Sequence, residues 1–226
     1  MTNDQRPPDQ WMKVDFHIHT CYSGDSLTSL EEVIEACRRQ GIDKVAITDH
    51  NTIAGALALQ AMAPDLVIVG EEIKTDVGEI IAYFVEEEVP KGLPPQETIA
   101  RVRGQGGVVG VPHPLDRLRR EALGRANLLT VIEQVDLLEV FNARTVFPSD
   151  NRRALELARR HGLLATAGSD AHIACEIGHA YVEMPAFNGK EEFLRSLAQG
   201  QIVGRLTTPL IHLVSTWAKL IKRLRS

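Results

Sequence analysis

The sequence predicts an α/β fold, a closed or nearly closed β/α barrel, and three observations carry that expectation. From Trp11 onward, short apolar runs alternate with helical patterns, which implies βαβ units around a parallel sheet. About seven such units fit into 226 residues, a length at which barrels form as single domains. Histidines and carboxylates gather just past the ends of the strand-like runs.

Each element has its own warrant. Residues 1–10 are polar and contain Pro7-Pro8, which predicts a flexible leader rather than a signal peptide. Residues 13–19 read as the first strand. Ser29-Leu30-Glu31-Glu32 is a capping box, opening a helix that stops near Gln40-Gly41. Strand 44–48, helix 53–63 and strand 66–69 follow, and strand 80–85 returns after a turn around 76–78. Helix 96–103 leads to the buried strand 108–111. Strands 137–141 and 164–166 flank helix 149–161, and helix 190–199 comes last in the barrel domain, which spans 11–208.

Segment 209–226 differs. Leu210, Leu213, Val214, Trp217, Leu220, Ile221 and Leu224 repeat with helical period, while Lys219, Lys222, Arg223 and Arg225 lie off that face. Such a C-terminal amphipathic helix is expected to pack across one end of the barrel, with docking to a partner or a membrane surface as alternatives.

Composition narrows the class. With 44% hydrophobic and 24% charged residues the chain is neither disordered nor fibrous. A net charge of -5 argues against binding nucleic acid mainly by neutralising phosphates. Cys21, Cys37 and Cys175 form an odd set without CxxC spacing, as expected for thiols of a reducing cytoplasm. No apolar run approaches the roughly 20 residues of a spanning helix.

The histidines carry the chemistry. Asp15-Phe16-His17-Ile18-His19 sets two imidazoles two apart on a strand, whose period aims them and Asp15 to one side. Asp49-His50, Glu71-Glu72, His113 and Asp170-Ala171-His172 close later strands in the same way. Five of eight histidines therefore fall at strand C-termini, the active-site face of a β/α barrel. Imidazoles and carboxylates without thiolates suit Zn, Mn or Fe. With Asp25, the donors suffice for two or three ions, a usual device for hydrolysing phosphate esters.

The motifs DFHIHTCYSGDS, AITDHNTIAG, GEEI, VPHP and GSDAH together resemble the PHP (polymerase and histidinol phosphatase) family, in its short stand-alone phosphoesterase form. The resemblance spans about 15–205 and implies a distorted, TIM-like barrel of seven strands bearing two or three divalent ions. It further implies that His17, His19, Glu72 and Asp170 hold a first ion. Glu72 and His113 would hold a second, and Asp25, His50 and His172 a third. Segment 138–144 lacks the histidine some relatives offer the second ion, with Glu139 or Asn142 as its polar substitute. Asp15 and Asp49 are expected to orient histidines from behind, alongside Asn142. Arg117 and Arg144 are candidates to grip a phosphate oxygen.

The implied activity is metal-dependent hydrolysis of phosphate mono- or diesters, in which a hydroxide bridging two ions attacks phosphorus. Its substrates would be small phosphorylated metabolites, nucleotides or short oligonucleotides. Two alternatives stand beside it. One is an amidohydrolase-like metal hydrolase. The other is a non-catalytic metal-binding module that docks a partner through its C-terminal helix.

Overall fold

The computed structural model describes residues 11–208 and 211–225. The expected leader, 1–10, lies outside the described residues. In chain order the strands are β1 (Trp11–Ile18), β2 (Lys44–Ile47), β3 (Val67–Lys74), β4 (Glu79–Tyr83), β5 (Val108–Val111), β6 (Leu137–Asn142), β7 (Leu164–Gly168), β8 (Ala180–Pro185) and β9 (Gln201–Gly204). The helices are α1 (Leu30–Gln40), α2 (Ala54–Met62), α3 (Pro95–Gly104), α4 (Gly124–Val131), α5 (Pro148–His161), α6 (Gly189–Leu197) and α7 (His212–Arg225). The capping box forms as its sequence dictates: Ser29 Oγ accepts from Glu32 N–H, and Glu32 accepts from Ser29 N–H.

Among the described residues one sheet holds nine strands in the order β7-β6-β5-β4-β3-β2-β1-β8-β9, where the alternation predicts seven. Of the two extra strands, β8 adds antiparallel to the first half of β1 and β9 adds antiparallel to β8. The second half of β1 turns the other way and nearly closes the barrel. Ile18 bridges Ala171, His19 N–H donates to Ala171 O at 2.9 Å, and Ser169 N–H reaches Asp15 Oδ1 at 2.9 Å. The sheet is also not wholly parallel. β4 runs antiparallel to both β3 and β5, because the short turn after Lys74 leaves no room for a crossover helix.

Strand alternation divides the core. Phe16, Ala46, Ile68, Ile81, Leu137 and Ala167 share an inner cluster, plugged by Phe193 and Leu197 of α6. Neighbouring residues such as Val45, Val69, Val109 and Leu138 pack outward with apolar residues of α1, α2, α3 and α5. The polar strand ends are thus raised above an apolar plug.

Helix α7 lies against the strand-end face of the barrel with part of its apolar stripe exposed. Trp217 is 60% exposed, Leu220 48% and Leu224 79%, so these members of its apolar stripe face solvent. The helix instead turns Ser215, Lys219 and Lys222, spaced four and three apart, toward the strand-end face. There Lys219 Nζ lies 3.3 Å from Asp25 Oδ2, and Lys222 Nζ donates to the carbonyls of Cys21 and Ser23. Among the described residues no helix is long and apolar enough to cross a membrane.

Barrel closure depends on Gly168. A Cβ there would lie 2.3 Å from His17 Cβ and 2.6 Å from Glu139 Oε1, with the His17 backbone nitrogen at 3.0 Å. Gly168→Ala is expected to destabilise the protein by about 2 kcal/mol, in the range of overpacking within a core. Denaturant unfolding measures this, and an unchanged midpoint would mean that β1 and β7 are not held this tightly.

Candidate metal centre

Five strand ends deliver the cluster. His17 is the last residue but one of β1 with His19 just beyond the strand, His50 follows β2, Glu72 lies in β3, His113 follows β5, and Asp170 and His172 follow β7. All except His50, which is half-buried, are buried. Two of these side chains are aimed by unusual backbone: His113 has φ 30° and Asp170 φ 52°, left-handed values uncommon outside glycine. Gly55 on α2 keeps the neighbouring loop close, since a Cβ there would fall 2.2 Å from Asp49 Oδ2.

The donors converge on Glu72. His17 Nε2 and His19 Nε2 stand 3.0 Å apart, each 3.3 Å from Glu72 Oε2, with Asp170 Oδ1 at 3.8 and 3.5 Å respectively. His113 Nε2 meets the other oxygen, Glu72 Oε1, at 3.1 Å, and His50 Nδ1 lies 3.2 Å from Oε2. Beside them Asp25 Oδ2 is 3.2 Å from both His50 Nε2 and His172 Nε2. Four overlapping groups have ligand atoms within 4.8 Å of one another: His17, His19 and Glu72; His17, His113 and Asp170; His50, Glu72 and Glu79; and His19, Asp25, His50 and His172. Asp170 Oδ1 is buried without a hydrogen-bond partner among these imidazole nitrogens. Facing nitrogens and carboxylate oxygens at these separations are the donor set of divalent cations, so the residues fit the metals the sequence implies.

Electrostatics record the crowding. Burial works to raise Glu72, but His17 and His50 hold it well below the usual carboxylate range. Burial likewise opposes charge on His19, yet the facing carboxylates of Asp170 and Glu72 lift it to about 9. His172 is pushed down to about 3 by burial and by the charge of His19.

The surrounding residues hold backbone more than rings. Asp15, raised to about 7 by burial, accepts from the N–H groups of His17, Ser169 and Gly178. Asp49 accepts from Thr20 N and Oγ1, each at 2.6 Å. Neither carboxylate bonds an imidazole; both fasten the segments that carry the imidazoles. Glu139 Oε1 is the group bonded to His17 Nδ1, at 3.1 Å, and its Oε2 accepts from His113 N–H and Asn142 Nδ2. Asn142 Nδ2 also donates to Asp170 Oδ2 at 3.1 Å. Glu139 and Asn142 therefore brace ligand candidates, rather than completing the donor set themselves.

The arginines part ways. Arg117 points away from the cluster, because Asp150, Ser149 and the Phe147 ring hold it at the surface. Arg119, two residues on, is turned inward, where it bonds Asp170 and lies 3.7 Å from Asp116. Arg144 reaches the site with its fork engaged: Nη1 donates to His172 Nδ1 at 2.5 Å, Nη2 to Ile211 O and Ser215 Oγ, and Nε lies 3.4 Å from Glu176.

Glu79 is the further acidic member that strand-end reasoning misses. It is the first residue of β4, but β4 runs antiparallel, so its beginning meets the same face as the ends of its neighbours. Its oxygens lie 3.5 Å from His50 Nδ1 and 3.8 Å from His113 Nε2, and burial beside Glu72 raises it to about 9. The turn at 76–78, visible in the sequence, was the available signal.

These features define a class: barrels whose strand-end face gathers imidazoles and carboxylates suited to divalent metals. The family model described as PHP-associated matches residues 148–202. An uncharacterized protein of Methanocaldococcus jannaschii is 37% identical over 180 residues, covering 78% of this chain and 72% of that protein. A probable phosphatase of Caldicellulosiruptor saccharolyticus is 22% identical over 207 residues, covering 76% of this chain and 85% of that one. The crystal structure of a two-domain protein from Bacteroides vulgatus, described as containing a predicted PHP-like metal-dependent phosphoesterase, is 17% identical with a TM-score of 0.71. That match covers 87% of this chain and 65% of the other. The chain belongs to the PHP family.

Adjacent side chains on a strand point apart, and here they do: Glu71 Oε2 turns outward to accept from Val89 N–H at 2.9 Å while Glu72 faces the cluster. Glu72→Gln is therefore expected to lower the bound metal content and Glu71→Gln to leave it unchanged. Elemental analysis of both variants checks this; equal losses would place the donors elsewhere.

Proposed function

We propose that this protein is a metal-dependent phosphoric ester hydrolase, carrying two or three divalent transition-metal ions such as Zn, Mn or Fe. The observation that carries the reading is the sharing of Glu72 between ligand groups on the strand-end face of a PHP barrel. His17, His19, Glu72 and Asp170 would hold one ion. Glu72, His113 and Glu79 would hold a second, and Asp25, His50 and His172 a third. Ions held there would supply an activated water and neutralise charge on the reacting phosphate.

The remaining work falls to the chain itself. Arg119 is the candidate to hold a non-bridging phosphate oxygen, since its guanidinium lies in the site and lines the cavity above it. Arg144 is a positioning residue in this reading, its hydrogen bonds setting His172 and the segment after Asp170. Glu139 fixes the His17 ring from behind, leaving Nε2 turned to the centre. The substrate class extends from small phosphorylated metabolites to nucleotides.

Purified protein should hydrolyse simple phosphate esters only while metal is bound. Chelation should abolish turnover and added divalent ions restore it; full turnover after metal removal would refute the proposal. Arg119→Ala should lower kcat/KM about 100-fold, the scale for losing one oxyanion-binding group, against less than threefold for Arg117→Ala. Steady-state kinetics on a phosphomonoester distinguishes the two arginines, and the reverse order would return the phosphate contact to Arg117.

A further inference from the structure

We infer that α7 is a size filter, which restricts the site to small, monomeric phosphate esters and keeps polymeric ones out. The inference rests on the phosphoesterase reading and names its substrate class. Above the metal-ligand candidates lies a cavity of about 870 Å³, within the usual range for pockets that hold one small ligand. Asp25, His50, Glu79 and His172 form its floor, Leu118 and Arg119 one side, and Ser215, Lys219 and Lys222 of α7 another. The helix is therefore part of the site's wall.

The seat of α7 is specific to that wall. Arg144 donates through one nitrogen to His172 and through another to Ile211 O and Ser215 Oγ, so one guanidinium joins the ligand cluster to the helix. Lys219 reaches Asp25, and Lys222 reaches the carbonyls of Cys21 and Ser23 on the loop before α1. An amphipathic helix normally buries its apolar stripe. Here Trp217, Leu220 and Leu224 remain exposed, while the polar contacts of Ser215, Lys219 and Lys222 gather around the cavity. In this inference a nucleotide-sized ester occupies the cavity beside that wall, and a longer strand leaving the phosphate on this side meets α7.

The test uses the whole 226-residue chain and its Lys219→Ala/Lys222→Ala variant, which loses both charged contacts. Hydrolysis of p-nitrophenyl phosphate is compared with release of the terminal phosphate from a single-stranded 12-nucleotide oligomer. Fluorescence anisotropy of the labelled oligomer, with metal-loaded protein, reads entry without turnover. The ratio of kcat/KM for oligomer over small ester is expected to rise at least tenfold in the variant, with tighter oligomer binding. Removing two cations weakens nucleic-acid binding on electrostatic grounds alone, so such a gain can come only from opened space. An unchanged or reduced ratio would overturn the filter, as would parallel gains for both substrates, which would mark α7 as a general plug. If neither protein hydrolyses any ester, the phosphoesterase reading fails, and the anisotropy comparison still decides the filter.

Discussion

The structure turns on the cost of gathering carboxylates away from water. Asp25, Glu72, Glu79 and Asp170 all lie in one buried or nearly buried cluster, and an isolated buried charge is strongly unfavourable. Imidazoles interleave with them, Arg119 pairs with Asp170, and Lys219 approaches Asp25 from α7. The donor geometry that remains is one that divalent cations satisfy best. Much of the surrounding architecture serves to hold that costly cluster in place. The β1–β7 closure brings His17 toward Asp170, left-handed backbone aims His113 and Asp170, and Glu139 and Asn142 tie the ligand candidates together from below.

The same constraint separates bracing from binding. Asp15 and Asp49 accept from backbone N–H groups and so lock chain segments, which fixes where the histidines start. Glu139 bonds a ring nitrogen and so fixes where one of them points. Glu71 and Glu72 are neighbours with opposite fates, because strand alternation sends one to a loop amide and the other to the cluster. Residue type alone does not distinguish these roles; the partner of each oxygen does.

Much of the site was legible in the sequence because a barrel gives strand ends a common meaning. His17, His19, His50, Glu72, His113, Asp170 and His172 follow one rule, and the structure brings all of them together. The rule assumes every strand runs the same way, and it fails at β4, whose reversed direction brings Glu79 to the site from a strand beginning. β8 and β9 were missed as strands because Ala180–Pro185 and the short, mostly exposed Gln201–Gly204 lack a buried apolar run. The choice between Arg117 and Arg119 depends on the course of an irregular loop, which periodicity does not describe. For α7, amphipathicity revealed the helix, while its contacts with Asp25 and with the carbonyls of Cys21 and Ser23 depend on neighbours it meets only in the fold.

The central claim is that the strand-end cluster is a multinuclear metal centre organised around Glu72. Anomalous diffraction from manganese-loaded crystals, collected to locate each ion, tests it most directly. The account predicts peaks on both sides of the Glu72 carboxylate, one among His17, His19 and Asp170 and another beside His113 and Glu79. Manganese found only at surface carboxylates, with none inside the cluster, would contradict it.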